Sequence, residues 1–141
     1  MASHLFTYGS LMFPEVMELL TGKHYAFEDV RLWDFERRAL NGKSYPGLFE
    51  VASMAVDGRL YFDLDDASVE ILDIFEDEIY ERRTVRVCSK ERGEVEARAY
   101  VIPSQLACLG AESWDPAQFR VEHLDRYLVM CERFRLQNVR R

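Results

Sequence analysis

Hydrophobic and polar residues alternate along several segments of the chain, a pattern typical of β-strands that bury one face. The alternation predicts a first strand at residues 4–8 and one or two strands within residues 25–39. It predicts two further strands at residues 84–88 and 95–102, which the polar residues 90–93 connect as a hairpin. The chain is therefore expected to be rich in β-structure.

Two dipeptides that end in glycine add turn signals, because Asn-Gly and Asp-Gly favour the two-residue turns of β-hairpins. Asn41-Gly42 predicts the first such turn. Asp57-Gly58 lies between the segments VASMAV and RLYFDL. Residues 49–64 are therefore predicted to form a hairpin that turns at Asp57-Gly58.

Helical periodicity is confined to three segments. Pro14 begins a short helix that we expect to end at Gly22. A second helix is predicted over residues 67–79, where apolar side chains recur on one arc at about 100° per residue. A third begins with an N-terminal capping signal at residues 114–118 and extends to about residue 135. Since strands joined by tight turns outnumber helices, the sequence predicts a small α+β domain with a mostly antiparallel sheet or barrel.

The size and composition of the chain fit one folded domain, which we expect to span residues 1–141. The mass is 16.6 kDa and 48% of the residues are hydrophobic, enough to form a core without disulfides or metals. The longest apolar run, residues 127–131, is far shorter than the roughly 18 residues that a membrane span needs. The first ten residues lack the basic start of a secretory signal. We therefore expect a cytoplasmic protein with no membrane partner.

The formal net charge is −7, and the acidic excess lies in one segment, because residues 63–81 contain nine acidic and no basic residues. This balance disfavours a nucleic-acid partner, which requires a basic face for its phosphates. Cys88, Cys108 and Cys131 are widely spaced and are predicted to be reduced core thiols. The usual nucleotide-binding, nucleophile-elbow and zinc-binding motifs are missing from the sequence, so neither a metal nor another cofactor is predicted.

The segment Tyr8-Gly9-Ser10-Leu11 follows the first predicted strand and is the first candidate for chemistry. Glycine lets the chain turn sharply and lets a ligand approach the backbone. Successive N–H groups in such a turn can form a concave anion site. A plain strand-to-helix turn is the alternative interpretation.

Glu76 is the second candidate, because it falls at the boundary between the apolar and polar arcs of the helix predicted at residues 67–79. Partial burial and neighbouring negative charges would both raise the pKa of its carboxyl toward neutral pH. A carboxyl of that kind can accept and return a proton during catalysis. An exposed helix residue with no chemical role is the alternative.

Four ordered segments, LFTYGSLM, SYPGLFEV, GRLYFDLDD and LDIFEDEIYERRTVRV, together resemble the γ-glutamylcyclotransferase-like family. The resemblance is strongest to its branch of AIG2-like and γ-glutamylamine cyclotransferase proteins, and it spans about residues 5–100. It implies a small, mixed, mostly antiparallel β-barrel flanked by helices, with a cavity beneath the YGSL segment.

The same resemblance implies roles for individual residues. Glu76, in the pattern D-x-F-E, corresponds to the catalytic acid/base of the family. The residues expected to form the substrate-binding loop are Tyr8, Gly9, Ser10 and Leu11. The residues expected to line the cavity wall are Tyr45, Pro46 and Tyr80. Leu11 stands where the longer mammalian-type enzymes acting on γ-glutamyl amino acids have Asn, so their substrate preference is not expected to carry over.

The reaction implied by the resemblance converts a small γ-glutamyl amine or amide into 5-oxoproline and a free amine. The α-amine of the substrate attacks its own γ-carbonyl, so the protein supplies no nucleophile and no cofactor. A non-catalytic module that binds a small ligand or a protein on the same fold is the alternative, and an acid at Glu76 favours the enzyme. The sequence indicates neither the leaving amine nor the oligomeric state.

Overall fold

The computed structural model describes residues 3–76 and 78–138, which form a five-stranded sheet with helices packed against it. The strands are β1 (Ser3–Thr7), β2 (Phe27–Ala39), β3 (Pro46–Leu64), β4 (Glu81–Ser89) and β5 (Gly93–Val101). The α-helices are α1 (Pro14–Thr21), α2 (Asp66–Phe75), α3 (Pro116–Glu122) and α4 (Leu124–Asn138). Two short 3-10 helices cover Ser10–Met12 and Ser104–Leu109. The predicted α+β class is confirmed.

The strand order across the sheet is β2-β3-β1-β5-β4, and all neighbours are antiparallel except β1 and β5. The sheet is therefore mostly antiparallel, as predicted, but it is not the closed barrel that the family resemblance implied, because β2 and β4 remain its two edges. Side-chain contacts connect these edges instead. The Glu28 carboxylate accepts hydrogen bonds from the Ser89 hydroxyl at 2.7 Å and from the Lys90 backbone N–H at 2.6 Å.

The hairpin predicted to turn at Asp57-Gly58 is wrong, because β3 runs without interruption from Pro46 to Leu64. Gly58 serves a different purpose in the middle of this strand. A Cβ atom at this position would lie 2.3 Å from the Thr7 carbonyl oxygen of β1 and 2.6 Å from the Phe6 ring. Glycine is thus needed here because the backbone of β1 approaches closely. The turn predicted at Asn41-Gly42 is confirmed, and Gly42 has a φ of 75°.

The first helix agrees with the sequence, and the second is shorter than predicted. Helix α1 begins at Pro14 and stops at Gly22, whose φ of 73° is left-handed. Helix α2 ends at Phe75, and Glu76 already has the extended angles φ −69° and ψ 147°. The helical position predicted for Glu76 is therefore wrong. No basic residue lies in the last turn of α2, and acidic side chains at a helix C-terminus oppose the helix dipole, which favours an early end.

The predicted third helix is broken in two at His123, whose φ of −130° and ψ of −21° are not helical. Its start agrees with the sequence, since the Asp115 side chain accepts a hydrogen bond from the Ala117 N–H at 2.9 Å. Within residues 3–76 and 78–138, no helix is both long enough and apolar enough to cross a membrane.

One hydrophobic core lies where α1, α2, α3 and α4 pack against the sheet, and a second is formed among the strands. Cys131 of α4 is fully buried in the first core, as predicted, whereas Cys88 and Cys108 are exposed, so the prediction of three core thiols is wrong for two of them. Cys88 falls on the outward phase of β4, between the buried residues Val87 and Ser89. All three cysteines are free.

Candidate active site

A cavity of about 270 Å³ lies beside the C-terminal end of β1, and its walls come from the loop after β1, the start of β3, the end of α2 and helix α4. All eight residues singled out in the sequence line this cavity, namely Tyr8, Gly9, Ser10, Leu11, Tyr45, Pro46, Glu76 and Tyr80. The fold thus brings together residues that are up to 72 positions apart in the sequence.

The loop after β1 turns through a single 3-10 helix, Ser10–Met12. The Met12 N–H donates to the Gly9 carbonyl at 3.0 Å, and the Phe13 N–H donates to the Ser10 carbonyl at 3.2 Å. The N–H groups of Ser10 and Leu11 are at the start of this turn, where a helix offers no acceptor of its own. They are therefore suited to bind an anionic group of a ligand in the cavity.

Gly9 is required by the close approach of β3. Its φ of −127° lies outside the left-handed region that favours glycine. A Cβ atom here would lie 2.9 Å from both Cγ and Cδ of Pro46. The bare backbone of Gly9 is what lets the loop lie against the first residue of β3.

Hydrogen bonds from outside the loop fix both of its ends. Arg37 of β2 donates from Nη1 to the Tyr8 carbonyl at 2.9 Å. At the other end, Arg59 Nη1 and the Tyr61 hydroxyl each donate to the Met12 carbonyl at 3.1 Å. The loop is therefore held rigidly, as a site that orients a substrate requires.

Glu76 lies directly after α2, and its backbone N–H donates to the Leu72 carbonyl at 3.0 Å. Because the chain becomes extended here, Glu76 leaves the helix axis and lines the cavity as a half-buried carboxyl. It is the one charged side chain among the described residues that line the cavity.

The negative charge of Glu76 affects tyrosine hydroxyls that line the cavity and also the buried Cys131 thiol of α4. Burial, and after it the Glu76 carboxylate, raises the pKa of Tyr8 and of Tyr127 well above the usual value. The same two causes raise the pKa of the Cys131 thiol to about 12. Burial also raises the pKa of Tyr80, with smaller effects from Tyr8 and Glu76. These groups therefore stay protonated near neutral pH, and the tyrosine hydroxyls remain hydrogen-bond donors.

Tyrosine hydroxyls tie the cavity walls to one another. The Tyr8 hydroxyl donates to the Tyr100 carbonyl at 2.6 Å, and the Tyr80 hydroxyl donates to the Pro46 carbonyl at 2.6 Å. The Ser10 hydroxyl donates to the Tyr127 hydroxyl at 2.8 Å. The wall is thus formed before any ligand enters.

Sequence reasoning missed part of the lining. The additional residues that line the cavity are Phe6, Thr7, Phe75, Tyr100, Tyr127, Met130 and Phe134. The last three lie on α4, and their spacing of three, four and seven positions is the signal of one helix face. That periodicity indicates an apolar face, but it does not distinguish a cavity wall from ordinary core packing.

The chain matches the sequence model of a family described as gamma-glutamyl cyclotransferase, AIG2-like, over residues 5–116. AIG2-like protein D of Arabidopsis thaliana is 30% identical over 132 residues, which cover 92% of this chain and 87% of that protein. The match to the family model covers the last three residues of β1, the whole loop after it, and β2 to β5.

Solved structures agree with this assignment at the level of the fold. A solution structure of an Arabidopsis thaliana protein superposes with a TM-score of 0.72 at 24% identity, covering 98% of this chain and 84% of that one. A structure named gamma-glutamyl cyclotransferase superposes with a TM-score of 0.63 at 18% identity, covering 94% of this chain and 87% of that one. The chain therefore belongs to the AIG2-like gamma-glutamyl cyclotransferase family.

Proposed function

We propose that this protein converts a γ-glutamyl amine or amide into 5-oxoproline and a free amine, with Glu76 as general acid/base. Family membership supports a cyclotransferase-type enzyme in general. The observation that carries the specific proposal is that a half-buried acid and the loop after β1, held at both ends by hydrogen bonds, line one small cavity. The proposed substrate is a small molecule, and no cofactor takes part.

The proposed reaction is intramolecular and balances without a co-reactant. The α-nitrogen of the substrate forms a bond to its γ-carbonyl carbon, and the bond from that carbon to the leaving nitrogen breaks. Two protons leave the α-ammonium and both end on the departing amine, so no net proton is consumed. Glu76 accepts a proton from the α-nitrogen and returns it to the leaving nitrogen, a role worth roughly 10² to 10⁴ in rate.

The loop and the tyrosines supply the other requirements of the reaction. The N–H groups of Ser10 and Leu11 are suited to the α-carboxylate of the substrate or to the oxyanion that forms at the γ-carbonyl. The cavity of about 270 Å³ is small, which favours a folded over an extended γ-glutamyl chain. Folding the chain brings its two reacting atoms together, which lowers the barrier for an intramolecular attack.

Ser10 is assigned no nucleophilic role. A serine nucleophile needs an adjacent base to take its proton. The Ser10 hydroxyl donates instead to the Tyr127 hydroxyl, and burial raises the pKa of Tyr127 far above the usual value. A tyrosine that stays protonated is not a base, so direct cyclisation fits the contacts of Ser10 better than an acyl-enzyme.

Release of 5-oxoproline, measured by mass spectrometry across γ-glutamyl amines, isopeptides and dipeptides, tests the proposal. We expect turnover of at least one γ-glutamyl amine by the natural sequence and loss of roughly 10² to 10⁴ in kcat for Glu76→Gln. Glu78→Gln is the matched control, because Glu78 is exposed and does not line the cavity.

Three results would contradict the proposal. The first is that no γ-glutamyl compound yields 5-oxoproline, even where calorimetry detects binding, which would favour a binding module. The second is full activity of Glu76→Gln. The third is an equal loss of activity in Glu76→Gln and Glu78→Gln, since that would trace the effect to charge alone.

A further inference from the structure

One wall of the cavity is formed by Phe75, Met130 and Phe134, which we call the outer wall. Two of its three residues lie on α4, beyond the residues 5–116 that match the family model. Resting on the proposed function, we infer that the outer wall receives the leaving group of the substrate and selects an uncharged alkyl or aryl amine over one that carries a charge.

Helix α4 gives the cavity an inner and an outer end. Tyr127 and Phe134 are seven residues apart on the same helix, a distance of roughly 10 Å along its axis. Tyr127 is buried and accepts the hydrogen bond of Ser10, so it marks the inner end at the loop. Phe134 is only partly buried and Met130 is 44% exposed, so these two residues mark the opening.

Phe75 connects the outer wall to the proposed acid/base. It directly precedes Glu76, and its ring packs edge-on against Tyr127 at 6.1 Å and against Phe134 at 5.1 Å between centroids. When the leaving nitrogen accepts a proton from Glu76, the alkyl or aryl group on that nitrogen therefore lies next to Phe75. Since the loop occupies the inner end, the substituent extends outward along Met130 and Phe134.

The chemistry of the outer wall favours an apolar substituent. Among the described lining residues, no charged side chain other than Glu76 is available to a ligand. Arg135, the next residue after Phe134, is directed elsewhere, because its guanidinium lies against Gly22 at the end of α1. A carboxylate or ammonium on the leaving group would lose water against this wall without gaining a partner, whereas an alkyl group gains by leaving water.

Three γ-glutamyl amides of similar length test the inference, with leaving groups n-butylamine, 1,4-diaminobutane and 4-aminobutyrate. We expect kcat/KM for 5-oxoproline release to be about tenfold or more higher for n-butylamine than for either charged amine. Each methylene that the wall covers is expected to raise kcat/KM roughly fourfold, so the ethylamide should fall below the butylamide.

A charge placed at the opening provides the decisive comparison. Met130→Glu places a negative charge at the wall, opposite in sign to the ammonium of the diaminobutane substrate. It is expected to raise kcat/KM for that substrate, relative to the butylamide, by about tenfold. Val129→Glu is the matched control: Val129 is 50% exposed on the adjacent position of α4 and does not line the cavity. Val129→Glu is expected to leave the ratio of kcat/KM for the two substrates unchanged.

The possible failures are distinct. Equal kcat/KM for charged and uncharged amines, a preference for a charged amine, or an equal shift in Met130→Glu and Val129→Glu would overturn the inference while 5-oxoproline release keeps the proposed function. The absence of 5-oxoproline from all of these amides would overturn the proposed function, and this inference with it.

Discussion

Replacement of Gly9 by alanine tests whether the position of the loop determines the rate. The new Cβ would lie 2.9 Å from Cγ and Cδ of Pro46, and neither atom belongs to a flexible chain end. An ordinary carbon–carbon contact is about 3.5–4.0 Å, so the loop and Pro46 must separate by roughly 0.6–1 Å. The φ of Gly9 is negative, so the substitution does not place a side chain in the left-handed region.

The expected effect on activity is larger than the effect on folding. A misplacement of about 1 Å at a catalytic site costs roughly 10² in rate. Overpacking by one methyl group lowers the free energy of unfolding by about 1–3 kcal/mol. We therefore expect Gly9→Ala to fold at room temperature, to lose about 10² in kcat/KM for 5-oxoproline release, and to unfold at a lower urea concentration.

A second substitution decides whether the clash is the cause. Pro46→Ala removes both atoms that the new methyl group meets and keeps the carbonyl that accepts the Tyr80 hydroxyl. The double variant is expected to regain about tenfold in kcat/KM over Gly9→Ala, a coupling that only neighbouring residues show. Pro46→Ala by itself is the control, because it removes the same two atoms without adding a methyl group at position 9. Two results would show that the clash with Pro46 does not limit activity. One is a wild-type kcat/KM in Gly9→Ala, and the other is a kcat/KM in the double variant that does not exceed that of Gly9→Ala.

Two further predictions concern the serine and the buried tyrosines. Ser10→Ala should keep most of the turnover and lose about 1 kcal/mol of stability with the hydrogen bond to Tyr127; an acyl adduct on Ser10, seen by intact mass after rapid quench, would contradict it. Burial raises the pKa of Cys131 to about 12 and holds the pKa values of the cavity tyrosines well above their usual range. Above about pH 8.5 the unfolded chain therefore releases protons that the folded protein keeps. The contribution of these groups to the free energy of unfolding is complete below about pH 8.5. Above that pH it falls by about 1.4 kcal/mol per pH unit for each group whose protonation differs between the folded and unfolded states. Urea unfolding at pH values from 7 to 11, followed by absorbance at 295 nm, should show tyrosinate appearing as the protein unfolds. Titration of the cavity tyrosines near pH 10 in the folded protein would contradict this prediction.

The sequence predicts a turn correctly where local residues determine it. It fails where tertiary contacts determine the conformation of the same dipeptide pattern. Asn41-Gly42 forms the expected turn, because its left-handed glycine satisfies the turn by itself. Asp57-Gly58 carries the same signal, yet Gly58 lies inside a 19-residue strand. The contact that requires this glycine is the Thr7 carbonyl, 51 residues earlier in the chain, and no local pattern reports it.

The candidate site shows the same division. Glu76 lines the cavity and its catalytic role stays a proposal, while the helical argument for its position is wrong because α2 ends one residue before it. Met130 and Phe134 were not identified, because an apolar helix face looks alike whether it meets a core or an opening. The predictions of a cytoplasmic location and of no nucleic-acid partner stay predictions.

The central claim, that Glu76 and the loop after β1 act on one substrate, is tested most directly by a crystal structure of Glu76→Gln with a γ-glutamyl alkylamide. We predict that the intact substrate is folded in the cavity, with its α-nitrogen about 2.6–3.2 Å from the side chain at position 76. Its carboxylate or γ-carbonyl oxygen should accept hydrogen bonds from the N–H groups of Ser10 and Leu11. Substrate bound outside the cavity, or extended within it with the α-nitrogen far from position 76, would contradict the account.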